Sequence, residues 1–149
     1  VSKKVRGSDI YRGSLGADRL AAGAIKHEIA LPLVTTGQQV TAASLATLDG
    51  WTQWTPGSWN SDQIEKVEVE LEYESAGSGD VDLYNVSDSA KVKDLVAPTG
   101  ATSHTLTRVD VTAEVKALSA NKNLGIQAAG DGTNTLTVHK ATLIVTLST

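Results

Sequence analysis

Three histidines, His27, His104 and His139, are the side chains best suited to proton transfer or metal ligation near neutral pH. They are far apart in the chain, and none falls in an H-x-x-x-H or similar ligand spacing. From spacing alone they read as surface or bulge residues, and no metal is expected. A nucleophile is equally hard to place, because the chain has no Cys and no G-x-S-x-G. Gly77-Ser78-Gly79-Asp80 lacks the third glycine of a phosphate-binding loop and joins two predicted strands. Carboxylate pairs run glycoside hydrolysis. The candidates here are Glu68, Glu70, Glu72 and Glu74, alternating along one stretch, and Asp80, Asp82 and Asp88 around a hairpin. The glutamates read as a solvated face, and nothing beside the aspartates signals a raised pKa. Asp131-Gly132-Thr133-Asn134 lacks the D-x-D-x-D-G series of a calcium loop. The reading is a protein without catalytic residues and without a cofactor.

The remaining feature with chemical character is aromatic. Trp51, Trp54 and Trp59 sit within nine positions, among Thr, Gln, Ser and Gly. Such rings are stacking platforms in carbohydrate-binding modules, with Gln53, Asn60 and Asp62 as polar partners. They are also the natural filling for a core that has no Phe and no Met. Trp51 and Trp54 are three apart, so on one strand they face opposite ways.

Strands must position these residues. The apolar positions are Val, Leu, Ile and Ala, and Thr is abundant, which suits a pleated surface. Residues 63–75 alternate Val67, Val69, Leu71 and Tyr73 with four glutamates, a period of two with one acidic face. Further strands are predicted over 29–35, 51–55, 81–86, 90–96, 102–115, 122–128 and 135–147, separated by turn signals. Residues 39–48 fit neither period. Pro32 argues for an edge strand. Two predicted strands change parity, which calls for a bulge near Thr107-Arg108 and another near His139-Lys140. Eight or nine short strands at regular spacing predict an all-β, antiparallel β-sandwich, jelly-roll-like. No run approaches the roughly 20 apolar residues of a membrane helix.

Residues 1–28 read differently, as an extended N-terminal arm on a sandwich domain of residues 29–149. Gly7, Gly13, Gly16 and Gly23 interrupt the segment. Through Lys26 it carries six cations against Asp9 and Asp18, a net +4, whereas the whole chain has a net charge of −4. Its candidate assembly residues are Lys3, Lys4, Arg6, Arg12, Leu15, Arg19, Leu20 and Ile25. Ordering about 25 residues costs on the order of 25 kcal/mol in backbone entropy. Contacts with another surface must offset that, and an acidic second copy is the natural one. Nucleic acid is disfavoured, since the arm has one ring, Tyr11, and no dense basic run.

Residues 13–25, Gly-Ser-Leu-Gly-Ala-Asp-Arg-Leu-Ala-Ala-Gly-Ala-Ile, resemble the leader segments of phage tail-fibre and other particle proteins. Residues 81–88, 106–111 and 141–145 resemble the jelly-roll domains of fibre, decoration and cell-surface proteins. Carbohydrate-binding sandwiches carry similar phrases. The resemblance implies a structural protein of a phage virion, either a head decoration protein or a short fibre. It also implies a homo-oligomer, with a trimer favoured, that contacts other virion proteins. The alternative is a glycan-binding module built on the three tryptophans.

Overall fold

The computed structural model describes residues 26–148. Ten strands follow in chain order: β1 (Lys26–Val34), β2 (Gln38–Val40), β3 (Ala46–Thr47), β4 (Thr52–Trp54), β5 (Ile64–Ser75), β6 (Asp80–Asn85), β7 (Ala90–Val96), β8 (Thr102–Asp110), β9 (Lys122–Ala129) and β10 (Leu136–Ser148). One short helix, α1 (Thr112–Lys116), lies between β8 and β9.

Every strand pairing is antiparallel. β1 and β2 lie end to end along the same side of β10, and β3 and β4 do the same along β9. Each couple is therefore one interrupted strand, and the ten segments reduce to eight strand lines. They form two four-line sheets, β1/β2-β10-β5-β8 and β3/β4-β9-β6-β7. Eight strands shared between two sheets in this order make a jelly roll, which agrees with the fold expected from the strand spacing.

The core lies between the sheets. Val67, Val69, Leu71, Leu143 and Val145 enter it from the first sheet, and Val81, Leu83, Leu124 and Ile126 from the second. Each such side chain contributes roughly 1.5–3 kcal/mol by leaving water. The aliphatic core is completed by Trp54 and Tyr73. Pro32 sits on β1, at the edge of its sheet, where its missing N–H leaves no central ladder bond unmade.

Two expectations need correction. The predicted strand over 102–115 stops at Asp110, whose carboxylate accepts from both the backbone N–H and the hydroxyl of Thr112. The Thr112 hydroxyl oxygen in turn accepts from the Val67 N–H at 2.9 Å, so the chain turns into α1 while still tied to β5. Ala113 and Val115 belong to that helix, and Val115 reaches the core from it. There is also no bulge at Thr107-Arg108. β8 pairs with β5 regularly there, with Arg108 opposite Glu70, Thr107 opposite Leu71 and Leu106 opposite Glu72. Leu106 is an outward apolar residue, 64% exposed, and the parity change it suggested does not occur.

Candidate functional site

The outer face of the first sheet concentrates the charge. Glu68, Glu70, Glu72 and Glu74 project from β5 on the side away from Val67, Val69, Leu71 and Tyr73. Arg108 of β8 reaches across this ladder. Its Nε donates to Glu70 Oε2 at 2.8 Å and its Nη1 to Glu28 Oε1 at 2.7 Å, with Glu68 Oε1 at 3.7 Å. The guanidinium holds the Glu28 carboxyl below the usual carboxylate range. Lys66 adds a second contact to Glu68, at 3.1 Å. What reads in sequence as a solvated acidic face is therefore an ion-pair network spanning β1, β5 and β8. Ile144 of β10 shares the outward parity of this face and is nonetheless buried.

At the upper end of the ladder both neighbours of β5 bulge, on either side of Tyr73. On β10 the register jumps from Val138, opposite Tyr73, to Lys140, opposite Glu72, which leaves His139 as the extra residue. This is the bulge expected near His139-Lys140. On β8 the register jumps from Thr105, opposite Tyr73, to Thr102, opposite Ser75. Ser103 and His104 thus share one partner, Glu74. A bulge re-aims the side chain it carries. Here one bulge on each side of β5 brings a histidine over it, and the two rings stack with centroids 4.5 Å apart and planes 2° apart. His104 Nε2 lies 2.6 Å from Glu72 Oε1, and His139 Nε2 lies 3.5 Å from Glu74 Oε1.

His104 and His139, 35 positions apart, therefore form a single cluster with Glu72 and Glu74. His27 remains on β1, opposite Leu147. Glu74, His104 and His139 can each present a ligating atom within 4.8 Å of the other two. Beside them opens a groove of about 380 Å³, lined by Gln39, Glu74, Ser75, Thr102, Thr135 and Thr137 among others. The cluster thus adjoins a hydroxyl-rich surface, and spacing along the chain gave no sign of it.

No family model matches this chain, and a search of curated proteins finds no match. Among solved structures, it is similar to infectious bursal virus-derived T=1 particles, at 12% identity and a TM-score of 0.48, over 90% of this chain and 35% of that one. It is also similar to the VP2 subviral particle of infectious bursal disease virus, at 11% identity and a TM-score of 0.40, over 83% of this chain and 33% of that one. A third likeness is to the Gx strain of the same virus, at 11% identity and a TM-score of 0.26, over 86% of this chain and 40% of that one. The chain spans about a third of the length of the first two structures it resembles.

The tryptophans do not share a surface. Trp54 is 2% exposed, and Trp59 stacks on it at 5.4 Å between ring centroids, packed against the core. Trp51 alone is open to solvent, at 58%. It stands beside Gly125 of β9. The candidate assembly residues Lys3, Lys4, Arg6, Arg12, Leu15, Arg19, Leu20 and Ile25 lie outside the described residues.

The hairpin aspartates differ from expectation. Asp82 on β6 is 0% exposed, and burial pushes its carboxyl up to about 6, against the opposing pull of Lys91. Asp80 and Asp94 complete a second carboxylate group, with Lys91 Nζ 3.1 Å from Asp82 and 2.6 Å from Asp94. The Lys91 ammonium already occupies the space between two of these carboxylates, Asp82 and Asp94. Asp131 accepts from the Asn134 side chain and from the backbone N–H groups of Thr133 and Asn134, which hold its carboxyl down at about 2. Those bonds shape a turn.

Proposed function

We propose that this chain is a non-catalytic structural protein of a virus particle, a head decoration protein or a short fibre, which assembles through residues 1–28. The observation that carries the reading is the acid-rich outer face of the β1/β2-β10-β5-β8 sheet. The basic N-terminal segment leads into the edge strand of that same sheet, where Lys26 opens β1. Opposite charge on two parts of one chain favours contact between copies, and cyclic symmetry gives every arm an equivalent site. The jelly-roll strand order supports the reading at the level of fold, since viral capsid domains use it, as do lectin domains and cupins. The phage-leader resemblance of residues 13–25 favours a bacteriophage virion, a trimer and other virion proteins as partners.

Light scattering of the full chain at low and moderate salt tests this. The expected result is an oligomer, trimeric first, that weakens as salt screens the arm. Reversing Lys3, Lys4, Arg6, Arg12 and Arg19 to Glu should give a monomer. A strict monomer at micromolar concentration in both salts would overturn assembly between copies.

Glycan binding is the second reading, and the exposure of Trp51 is what favours it. A glycan array probed with the wild type and with Trp51→Ala separates the two readings. Binding that the substitution abolishes would establish a module of that kind.

A further inference from the structure

We infer that His104, His139 and Glu74 bind a divalent transition-metal ion of the zinc class, with Glu72 holding His104 in place. Four observations converge on this cluster. Both histidines stand on bulges, and the two bulges meet β5 on either side of Tyr73, one between Glu72 and Tyr73 and the other at Glu74. Their rings lie parallel and in contact, with centroids 4.5 Å apart, so the two imidazoles face one another across β5. The potential ligand atoms already fall within 4.8 Å of one another, so small side-chain rotations bring them onto one ion. Finally, His139 Nε2 is shielded from solvent and makes no hydrogen bond among the described residues, the Glu74 carboxylate standing 3.5 Å away. An unpaired buried nitrogen is costly, and an ion bound there would satisfy it.

The donor set selects the ion. Two imidazoles and one carboxylate suit Zn²⁺, Cu²⁺, Ni²⁺ or Fe²⁺, whereas Ca²⁺ and Mg²⁺ take oxygen ligands. The carboxylate–imidazole contact of Glu72 with His104 is the usual way a ligating ring is oriented. The charges facing the cluster are few. Glu72 and Glu74 come from β5, and Lys140 follows His139 on β10, opposite Glu72. Arg108 is engaged with Glu28 and Glu70 further along the sheet, so it does not neutralise Glu74. Three protein donors leave at least one coordination position open beside the hydroxyl-lined groove. A water, or an oxygen donor from a neighbouring molecule, completes the shell there.

Titration calorimetry with Zn²⁺ on the full chain tests the site, supported by the visible absorption of Co²⁺ as a probe of coordination. The expected result is one ion per chain. His104→Ala, His139→Ala and Glu74→Gln should each weaken binding by about tenfold or more. His27→Ala should leave it unchanged. The melting temperature of the wild type should rise with Zn²⁺ concentration, and that of the double variant H104A/H139A should not. All four positions are surface sites, and circular dichroism checks that the variants fold. Glu74→Gln keeps the shape should an alanine variant fail to fold. Binding to the double variant as tight as to the wild type would overturn the site, and so would an equal loss in His27→Ala.

Discussion

Lys91 Nζ lies 3.1 Å from Asp82 Oδ2 and 2.6 Å from Asp94 Oδ1, so one ammonium serves a carboxylate withdrawn from solvent and another at the surface. The two acids respond in opposite ways. Burial pushes Asp82 up to about 6, while the hydrogen bond from Lys91 holds Asp94 below its usual range. At mildly acidic pH the proton kept by this pair resides on Asp82.

That arrangement makes stability depend on pH. The folded-state pKa of Asp82 is above its unfolded value, so the folded chain binds the proton more tightly. The contribution is complete below about pH 4 and is lost as pH rises through about 6. Asp82→Asn cannot titrate. It should gain on the wild type across that window, by on the order of 1–3 kcal/mol between pH 4 and pH 7. Urea unfolding of both proteins across the window measures the difference directly, free of the other carboxylates. Parallel pH profiles would show that Asp82 is not the source.

Arg108 supports the acidic face from its centre. Arg108→Met keeps the stem and removes the charge, which leaves Glu28, Glu68 and Glu70 facing one another. The site is partly exposed, so screening limits the expected loss to about 1 kcal/mol. Chemical denaturation should show the loss shrinking as salt is added. A loss that grows with salt would contradict the ion-pair account.

Gly50 has a φ of +109°, and a Cβ placed there would collide with the carbonyl oxygen of Leu33. Gly50→Ala meets both the left-handed backbone and the clash, and should cost about 2–4 kcal/mol. Thermal unfolding reads this as a clear fall in Tm. An unchanged Tm would mean that the turn has another accessible conformation.

The two tryptophans of β4 and its approach should behave oppositely. Trp54→Ala empties a fully packed position and should cost about 3–5 kcal/mol. Trp51→Ala should stay within about 0.5 kcal/mol of the wild type, as surface changes do. Acrylamide should quench Trp51 fluorescence and leave Trp54 largely protected. Equal effects at both positions would contradict the burial difference.

Most of the architecture was legible because one residue in two along β5, β6, β9 and β10 is apolar and faces the core. The parity change in β10 located its bulge at His139 directly. The bulge in β8 escaped because Leu106, an exposed apolar residue, mimicked an inward position and moved the apparent slip to Arg108. The helix α1 was hidden in the same way, since Val111 and Val115 fit a strand parity as well as one helical turn. The histidine cluster was not legible at all. It depends on β10 and β8 flanking β5, and that strand order is set by long-range packing, which no local period records. The raised carboxyl of Asp82 was likewise invisible, because no local period records that a residue between Val81 and Leu83 is withdrawn from solvent beside Lys91 of the neighbouring strand β7.

Lys26, the first residue of β1, is paired directly with Ser148, the last residue of β10. Neighbouring strands are about 5 Å apart, so the two ends of the described sandwich lie side by side, as if at a single doorway. Such geometry makes the domain portable. A surface loop of a larger protein can host it without its own ends being prised apart. A short peptide joining Ser148 to Lys26 would likewise let the chain be reopened at the Ser87–Ser89 turn with its strand order intact.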